Sequence, residues 1–335
     1  MAVANRLRPQ KTARERHREP HGSPKGAPPE TPQQKPARIG SAFAERRDGV
    51  GGARRALTEA RRSRSRQPIR IMQLPMLELP SYVNPPVAEV VLGAQLAQPW
   101  ISGPALGAVW DELRTEFPQH TSQPALPPID ERFDAASVMQ LQFGFPGVRD
   151  LLTSSDGARL LQLQSDRIAY NWRKTGEDAD YPRYGAIVGR YEELIGRVFE
   201  RCPDSVPDGR RITWVEVIYV NHIATDPQED AHKFPERILT LAAIPTLTSD
   251  VASEDFSLTR RFRLPSGAGR LYVESSSAIG ALGGLKIMLL TLTARVAVEV
   301  VGDLRAALDL GHDAIVRTFA DVTSEESQAN WGRER

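Results

Sequence analysis

An abrupt change of composition near residue 72 limits where this 335-residue chain can build a hydrophobic core. Residues 1–71 are rich in Arg, Pro, Ser, Gly and Ala, with eight prolines and a single aromatic residue, Phe43. Such a segment buries too little apolar surface to offset the conformational entropy that folding removes. We therefore predict a disordered basic tail over residues 1–71 and one folded domain over residues 72–335.

Two explanations of the tail remain open. The first is a start assigned too far upstream, because Arg-, Pro- and Ala-rich sequence ahead of Met72 or Met76 is typical of translated GC-rich DNA. The second is a genuine basic arm that contacts nucleic acid or an acidic membrane surface. The fold of residues 72–335 is expected to be the same under both explanations.

The formal charge of +1 conceals an uneven distribution. Residues 1–71 hold 18 of the 43 basic and 6 of the 42 acidic residues, and residues 72–335 hold the other 25 and 36. The excess of acidic residues disfavours nucleic-acid binding by the core, which leaves only the tail as a partner for nucleic acid. No run of about 18 uncharged apolar residues is present, so we expect no spanning helix. The single cysteine, Cys202, suits a reducing cytoplasm.

Strand-like stretches come in runs, with few helices between them. Ten stretches carry strand signals: Val87–Leu96, Val138–Phe143, Arg149–Ser154, Ala158–Gln164, Arg167–Trp172, Ile212–Asn221, Ile238–Ile244, Phe256–Leu264, Arg270–Ser276 and Lys286–Val300. The Pro-rich stretch Gln123–Pro128 is expected to be a connecting loop. Helical periodicity predicts helices from Ser102 to Phe117, from Pro182 to Cys202 and over Asp303–Val322, then a short helix ending near Trp331.

This arrangement indicates an α+β fold with mainly antiparallel sheet, in one or more sheets, and three principal helices packed on it. The order of the elements is strand, helix, strands, helix, strands, helix. That order is compatible with a degenerate arrangement of two similar halves, although no sequence repeat supports one.

The most distinctive polar tract is LLQLQSDRIAYNWRKTGEDADYPRY, over residues 160–184. Alternation places Gln162 and Gln164 on one face of a hairpin strand, and Asn171 and Arg173 on one face of its partner. Arg183 and Tyr184 follow at the start of the best predicted helix, whose free N–H groups favour an anion. The six residues are therefore the candidate ligand-binding set: Gln162, Gln164, Asn171, Arg173, Arg183 and Tyr184. The alternative is that they bond to one another and to the loop at 175–180 and have a structural role.

No cofactor or metal site is predicted from the remaining residues. His222, His232 and either Asp226 or Asp230 lack the spacing of known metal motifs. His312 is expected to be half-buried and to bond a carbonyl group. Cys202 follows a helix instead of preceding one, so no helix dipole would activate its thiol.

Several short motifs together resemble a sporadically distributed family of uncharacterised bacterial proteins. The motifs are PPVAEVVLG, LQLQSDR, NWR, YPRY, VIYVNHI and GHDAIVRTF, with a late Trp331. The resemblance covers Pro85 to the C-terminus. It implies a bacterial origin, a cytoplasmic setting and a genuinely folded core, and it supplies no reaction, cofactor or catalytic residue. Family members are about as long as this core, which favours a start near Met72.

Two functions remain open at this point. The favoured one is a non-enzymatic binding or interaction protein with an unidentified protein partner, an accessory of a bacterial defence or toxin-neutralising system. The other is an enzyme that acts on an anionic small molecule at the hairpin–helix junction, the region between the predicted hairpin at 158–172 and the helix that begins at Pro182. In this enzyme Arg173 and Arg183 would bind the anion, and His222 would act as acid or base. A polar cleft at the junction would favour the enzyme. An internally bonded junction beside an apolar patch would favour binding.

Overall fold

The computed structural model describes residues 78–131, 133, 147–176, 179–202, 211–224, 233–241, 255–279 and 286–334. The predicted tail and the predicted strand Val138–Phe143 lie outside the described residues. Within those residues, no helix combines the length and the apolar composition that crossing a bilayer requires.

In the residues that the structure describes, one antiparallel sheet of nine strands forms the centre of the fold. The strands are β1 (Val87–Leu96), β2 (Gln119–Pro124), β3 (Val148–Thr153), β4 (Arg159–Gln164), β5 (Arg167–Arg173), β6 (Ile212–Ala224), β7 (Ser257–Arg263), β8 (Gly269–Ile279) and β9 (Lys286–Ala297). Their spatial order is β2-β3-β4-β5-β1-β6-β9-β8-β7. The predicted α+β class with antiparallel pairing is confirmed, in a single sheet.

Three of the helices in the described residues are longer than two turns, as predicted. The helices are α1 (Gly103–Leu113), α2 (Arg183–Arg201), α3 (Lys233–Ile238), α4 (Val298–Val301), α5 (Leu304–Val322) and α6 (Glu325–Asn330). Ser102 caps α1 by accepting a hydrogen bond from the Ala105 N–H, and Asp303 caps α5 in the same way through the Ala306 N–H.

The two faces of the sheet differ in polarity because side chains alternate along each strand. Leu92 of β1 and Leu292 of β9 are fully buried on the face that carries the helices. On this face the hydroxyl of Tyr191 in α2 donates to the Ile168 carbonyl of β5 at 3.0 Å. Gly311 of α5 lies directly against β6. The other face carries most of the polar side chains of the strands, and we call it the polar face.

The topology repeats itself in two halves. In the first half β1 is followed by α1, the meander β3-β4-β5 and α2. In the second half β6 is followed by α3, the meander β7-β8-β9 and α5. The first strands of the two halves pair with each other at the middle of the sheet, and each is flanked by the last strand of its own meander. The two-half arrangement considered from the sequence is therefore the one found, with β2 as an addition to the first half.

Three predicted elements need correction. The Pro-rich stretch predicted as a loop begins inside β2, whose polar residues form a strand because they pair with β3. The predicted strand Ile238–Ile244 begins at the last residue of helix α3, and its next residue, Leu239, makes one isolated bridge to Thr323. The last predicted strand ends at Ala297, since the chain turns there into helix α4.

Candidate functional site

Two of the predicted polar residues of the hairpin bond to Glu89 of β1, and a third bonds to one of these two. Gln162 donates from Nε2 to Oδ1 of Asn171 at 2.6 Å. Asn171 donates from Nδ2 to Oε1 of Glu89 at 2.5 Å, and Arg173 donates from Nε to the same oxygen at 2.8 Å. The predicted polar patch on β4 and β5 is therefore present. Glu89 was not predicted, although its place on the polar side of an alternating strand could have indicated it.

Gln164 bonds to a chain segment that crosses the polar face. Its Oε1 accepts from the Leu126 N–H at 2.8 Å, and its Nε2 donates to the Leu126 carbonyl at 2.9 Å and to Asp166 at 2.7 Å. Only 4% of this residue is exposed. The amides and the guanidinium of the hairpin are thus engaged with the protein itself, which is the arrangement expected of a structural patch.

The prediction that Arg183 and Tyr184 join this patch is wrong. Arg183 donates from Nη1 to the Tyr82 carbonyl at 2.9 Å, and Tyr184 donates from its hydroxyl to Oδ1 of Asp309 in α5 at 2.8 Å. Both contacts lie on the helix-bearing face of the sheet. The physical reason is the apolar stripe of α2, which must pack on the apolar face and therefore carries the start of the helix there.

A cavity of about 360 Å³ lies beside these two residues. It is bordered by the segment at 79–87, the start of α2, strands β6 and β9, and helix α5. Its lining is mostly apolar and includes Leu79, Pro80, Val87, Leu292, Ile315 and Phe319. Volumes of about 300–1,000 Å³ with apolar walls and a few polar groups are typical of small-molecule sites.

Two of the tyrosines in the cavity wall are hydrogen-bonded to each other. The hydroxyls of Tyr181 and Tyr219 are 2.9 Å apart, and their rings meet nearly edge to face. Burial raises the pKa of Tyr181 to about 12, and burial also raises the pKa of Tyr219 well above its ordinary value. Both phenols are therefore neutral near pH 7.

His312 of α5 lines the same cavity and stacks on Tyr184. The ring centroids are 3.8 Å apart and the planes differ by 12°. Nδ1 of His312 lies 3.2 Å from a carboxylate oxygen of Asp313, so the partner is a carboxylate and not the carbonyl that we predicted. Burial, followed by the hydrogen bond to Asp309, raises the pKa of Tyr184. The stacked pair forms an aromatic part of the wall.

A second polar cluster, on the polar face, surrounds Glu131. Its carboxylate accepts hydrogen bonds from Arg295 at 3.0 Å, Arg270 at 3.2 Å and Tyr272 at 2.7 Å, and its side chain is only 2% exposed. Arg295 also donates to Glu216 at 2.7 Å. Glu131 belongs to the segment that crosses the polar face, so these bonds fix that segment to β8 and β9. Sequence patterns gave no sign of this cluster, since its members come from distant parts of the chain.

The histidines and the cysteine considered from the sequence are described only in part. There, no group of three or more His, Cys, Asp or Glu residues is arranged to hold a metal ion. His222 lies exposed near the end of β6, while Asp226, Asp230 and His232 lie outside the described residues. Cys202 is buried directly after α2.

Comparison with known proteins adds one distant structural similarity. Neither a family model nor a curated protein matches the chain. Among solved structures, the chain is similar to the di-domain ARO/CYC StfQ from the steffimycin biosynthetic pathway. The identity is 14%, the match covers 70% of this chain and 93% of that one, and the TM-score is 0.16. A TM-score this low does not indicate a shared fold.

Proposed function

We propose that this chain is a non-enzymatic binding protein that holds an apolar small molecule in the cavity beside α5. The observation that supports this function is the cavity itself, with a volume of about 360 Å³ and mostly apolar walls. A cavity of about 150 Å³ is enough to hold benzene. The volume here suits a molecule with two or three fused rings.

The condition of the hairpin–helix junction also supports binding over the alternative enzyme. Gln162 bonds to Asn171, and Asn171 and Arg173 bond to Glu89, so these side chains form no open polar cleft in the part of the junction that the structure describes. Arg183 lies on the other face of the sheet, so one anion cannot contact the whole predicted set. An internally bonded polar patch on one face of the sheet, with an apolar cavity on the other face, is the combination expected of a binding protein.

The test uses the full chain and the neutral fluorescent probe N-phenyl-1-naphthylamine. We expect a saturable rise in fluorescence with a stoichiometry of one probe per chain. Val316 of α5 lines the cavity, so Val316→Trp fills part of it and should weaken binding at least tenfold. Val300 is an exposed valine in α4 and does not line the cavity, so Val300→Trp is the matched control and should bind as the wild type does.

Two results would contradict the proposal. One is the absence of saturable binding by the wild-type chain. The other is equal weakening of binding by Val316→Trp and Val300→Trp, because the probe would then be bound elsewhere or the loss would reflect general destabilisation. Melting curves of both variants, recorded in parallel, separate loss of binding from loss of folding.

A further inference from the structure

The hydrogen bond between the two tyrosines of the cavity wall leaves one hydroxyl hydrogen unused. Each phenol carries one hydrogen, and the contact of 2.9 Å between Tyr181 and Tyr219 consumes only one of the two. In the part of the chain that the structure describes, neither hydroxyl makes any other hydrogen bond. Both tyrosines line the cavity. The pair therefore has one O–H group to donate to whatever occupies the cavity.

The surroundings of this donor define the group that suits it. Tyr219 is only 5% exposed, and Leu292 and Phe319 belong to the same apolar lining. A buried donor without an acceptor is costly, whereas an apolar environment strengthens a hydrogen bond that is made. A buried charge would need a partner charge. Arg183, the arginine of the lining, is exposed and donates to the Tyr82 carbonyl, so a neutral acceptor fits best.

We propose that the ligand is an apolar ring compound with a neutral carbonyl oxygen, and that this oxygen accepts a hydrogen bond from the Tyr181–Tyr219 pair. The two tyrosines then determine specificity within the cavity. This inference rests on the proposed function, since it names the class of ligand that the same cavity selects. None of the described groups on the cavity wall calls for a ligand that carries a negative charge or that accepts two hydrogen bonds at once.

The experiment compares two probes of nearly equal shape on the full chain. The probes are 2-acetylnaphthalene, which carries the carbonyl group, and 2-ethylnaphthalene, which lacks it. Their dissociation constants are measured by displacement of N-phenyl-1-naphthylamine. The ketone can accept one neutral hydrogen bond that the hydrocarbon cannot. We therefore expect the dissociation constant of the ketone from the wild type to be about fivefold lower than that of the hydrocarbon, after correction for their different solubility in water.

The double variant Tyr181→Phe/Tyr219→Phe tests the assignment to this pair. We expect it to lose the preference for the ketone while it still binds the hydrocarbon. Both residues must be changed, because a single substitution frees the hydrogen of the remaining phenol. The matched control is Tyr191→Phe, which removes a buried hydroxyl that bonds to the Ile168 carbonyl away from the cavity. That variant should keep the preference.

The outcomes separate this inference from the proposed function. If both probes bind the wild type equally well, or if the double variant keeps the preference, the inference is wrong and the proposed function stands. If N-phenyl-1-naphthylamine itself does not bind the wild type, both fail. If it binds and neither naphthalene displaces it, the inference alone is wrong. A second readout does not depend on the folding of any variant. The carbonyl stretching band of the ketone bound to wild type should move to lower wavenumber than in an alkane solvent, and an unmoved band would also overturn the inference.

Discussion

Glu89 receives hydrogen bonds from two neighbours on β5, and this sharing makes it the centre of the hairpin patch. Asn171 and Arg173 donate to the same carboxylate oxygen. Asn171 is almost fully buried, whereas the side chain of Arg173 is 43% exposed. The exposed guanidinium therefore contributes less than a buried ion pair would, because water screens its charge.

Truncation of either candidate arginine should lower the stability of the protein. Arg173→Ala leaves Glu89 with one donor fewer, and Arg183→Ala leaves the Tyr82 carbonyl without its guanidinium donor. Each loss should cost about 1 kcal/mol, which thermal unfolding detects as a lower melting temperature.

The control for these variants is Arg114→Ala. Arg114 makes an exposed ion pair with Asp111 one turn away, at 3.3 Å, and pairs of this kind contribute little. Its melting temperature should stay at the wild-type value. Unchanged or raised melting temperatures for both Arg173→Ala and Arg183→Ala would contradict the structural role assigned to them here.

At the scale of elements, α1 and α2 are joined by an ionic cluster on their exposed sides. Glu112 of α1 accepts hydrogen bonds from Arg197 at 2.8 Å and from Arg201. These bonds, first that of Arg197 and then that of Arg201, lower the pKa of Glu112 below its ordinary value of 4.5. A carboxyl group whose pKa is lower in the folded state stabilises the protein fully above that ordinary value and loses this effect as the pH falls through the folded-state pKa.

Glu112→Gln should therefore reduce stability in a pH-dependent way. Above the ordinary pKa of 4.5 the variant should melt below the wild type, and the difference should shrink as the pH is lowered further. Thermal unfolding over a pH series measures it. Glu299→Gln, at an exposed position of α4, should follow the wild-type profile throughout. A constant difference between Glu112→Gln and wild type at every pH would contradict the assignment.

Gly311 sets how closely α5 approaches the sheet. A Cβ atom at this position would lie 3.0 Å from Cγ2 of Val217 and 3.4 Å from Cβ of Ala294. Gly311→Ala should therefore destabilise the protein by about 1–3 kcal/mol, because helix and sheet must move apart. Gly189 lies at an exposed site in the interior of α2, where a Cβ meets no described atom within 4 Å.

The two glycine substitutions should act in opposite directions. Gly189→Ala should stabilise by up to about 1 kcal/mol, since alanine favours the helix and glycine does not. Chemical denaturation of both variants measures the difference. Stabilisation by Gly311→Ala would show that α5 tolerates the extra methyl group and that close packing there is not needed.

Sequence patterns predicted most of the elements that bury one face and missed β2, which buries neither face. The alternation in Val87–Leu96 predicted β1 to the residue, and helical periodicity predicted α2 to within one residue at each end. The sequence QHTSQP of β2 is exposed along its whole length, so no apolar alternation marks it. The short apolar run that begins at Ile238 was predicted as a strand. Its pattern alone cannot distinguish a strand from the end of a helix, because either element can bury two or three successive apolar residues.

The candidate site was predictable only in its local part. Gln162 and Asn171 belong to one hairpin, so their contact follows from turn spacing and alternation. The cavity brings together Tyr82, Tyr219 and Phe319, which are far apart in the sequence. Their proximity depends on how α5 crosses β6 and β9, and no local pattern encodes that crossing.

For the whole molecule, composition predicts a boundary near residue 72. The hydrophobic core cluster includes residues from Tyr82 to Val322, and all of them lie within residues 72–335, the predicted folded domain. We predict that a chain beginning at Met72 melts within a few degrees of the full-length protein. Thermal unfolding of the two chains tests this. A markedly lower melting temperature, or aggregation of the shorter chain, would show that residues 1–71 contribute to folding.

The two outer strands of the described sheet, β2 and β7, determine how it meets a second copy of itself. Every residue of β2 is exposed, and Pro124 ends the strand without an N–H group to offer a new neighbour. Arg260, Arg261 and Arg263 line β7, so two β7 strands paired antiparallel would place like charges across from each other. Charged and proline-blocked edges are a recognised protection against edge-to-edge aggregation. An open nine-stranded sheet can therefore end at both sides without recruiting further strands.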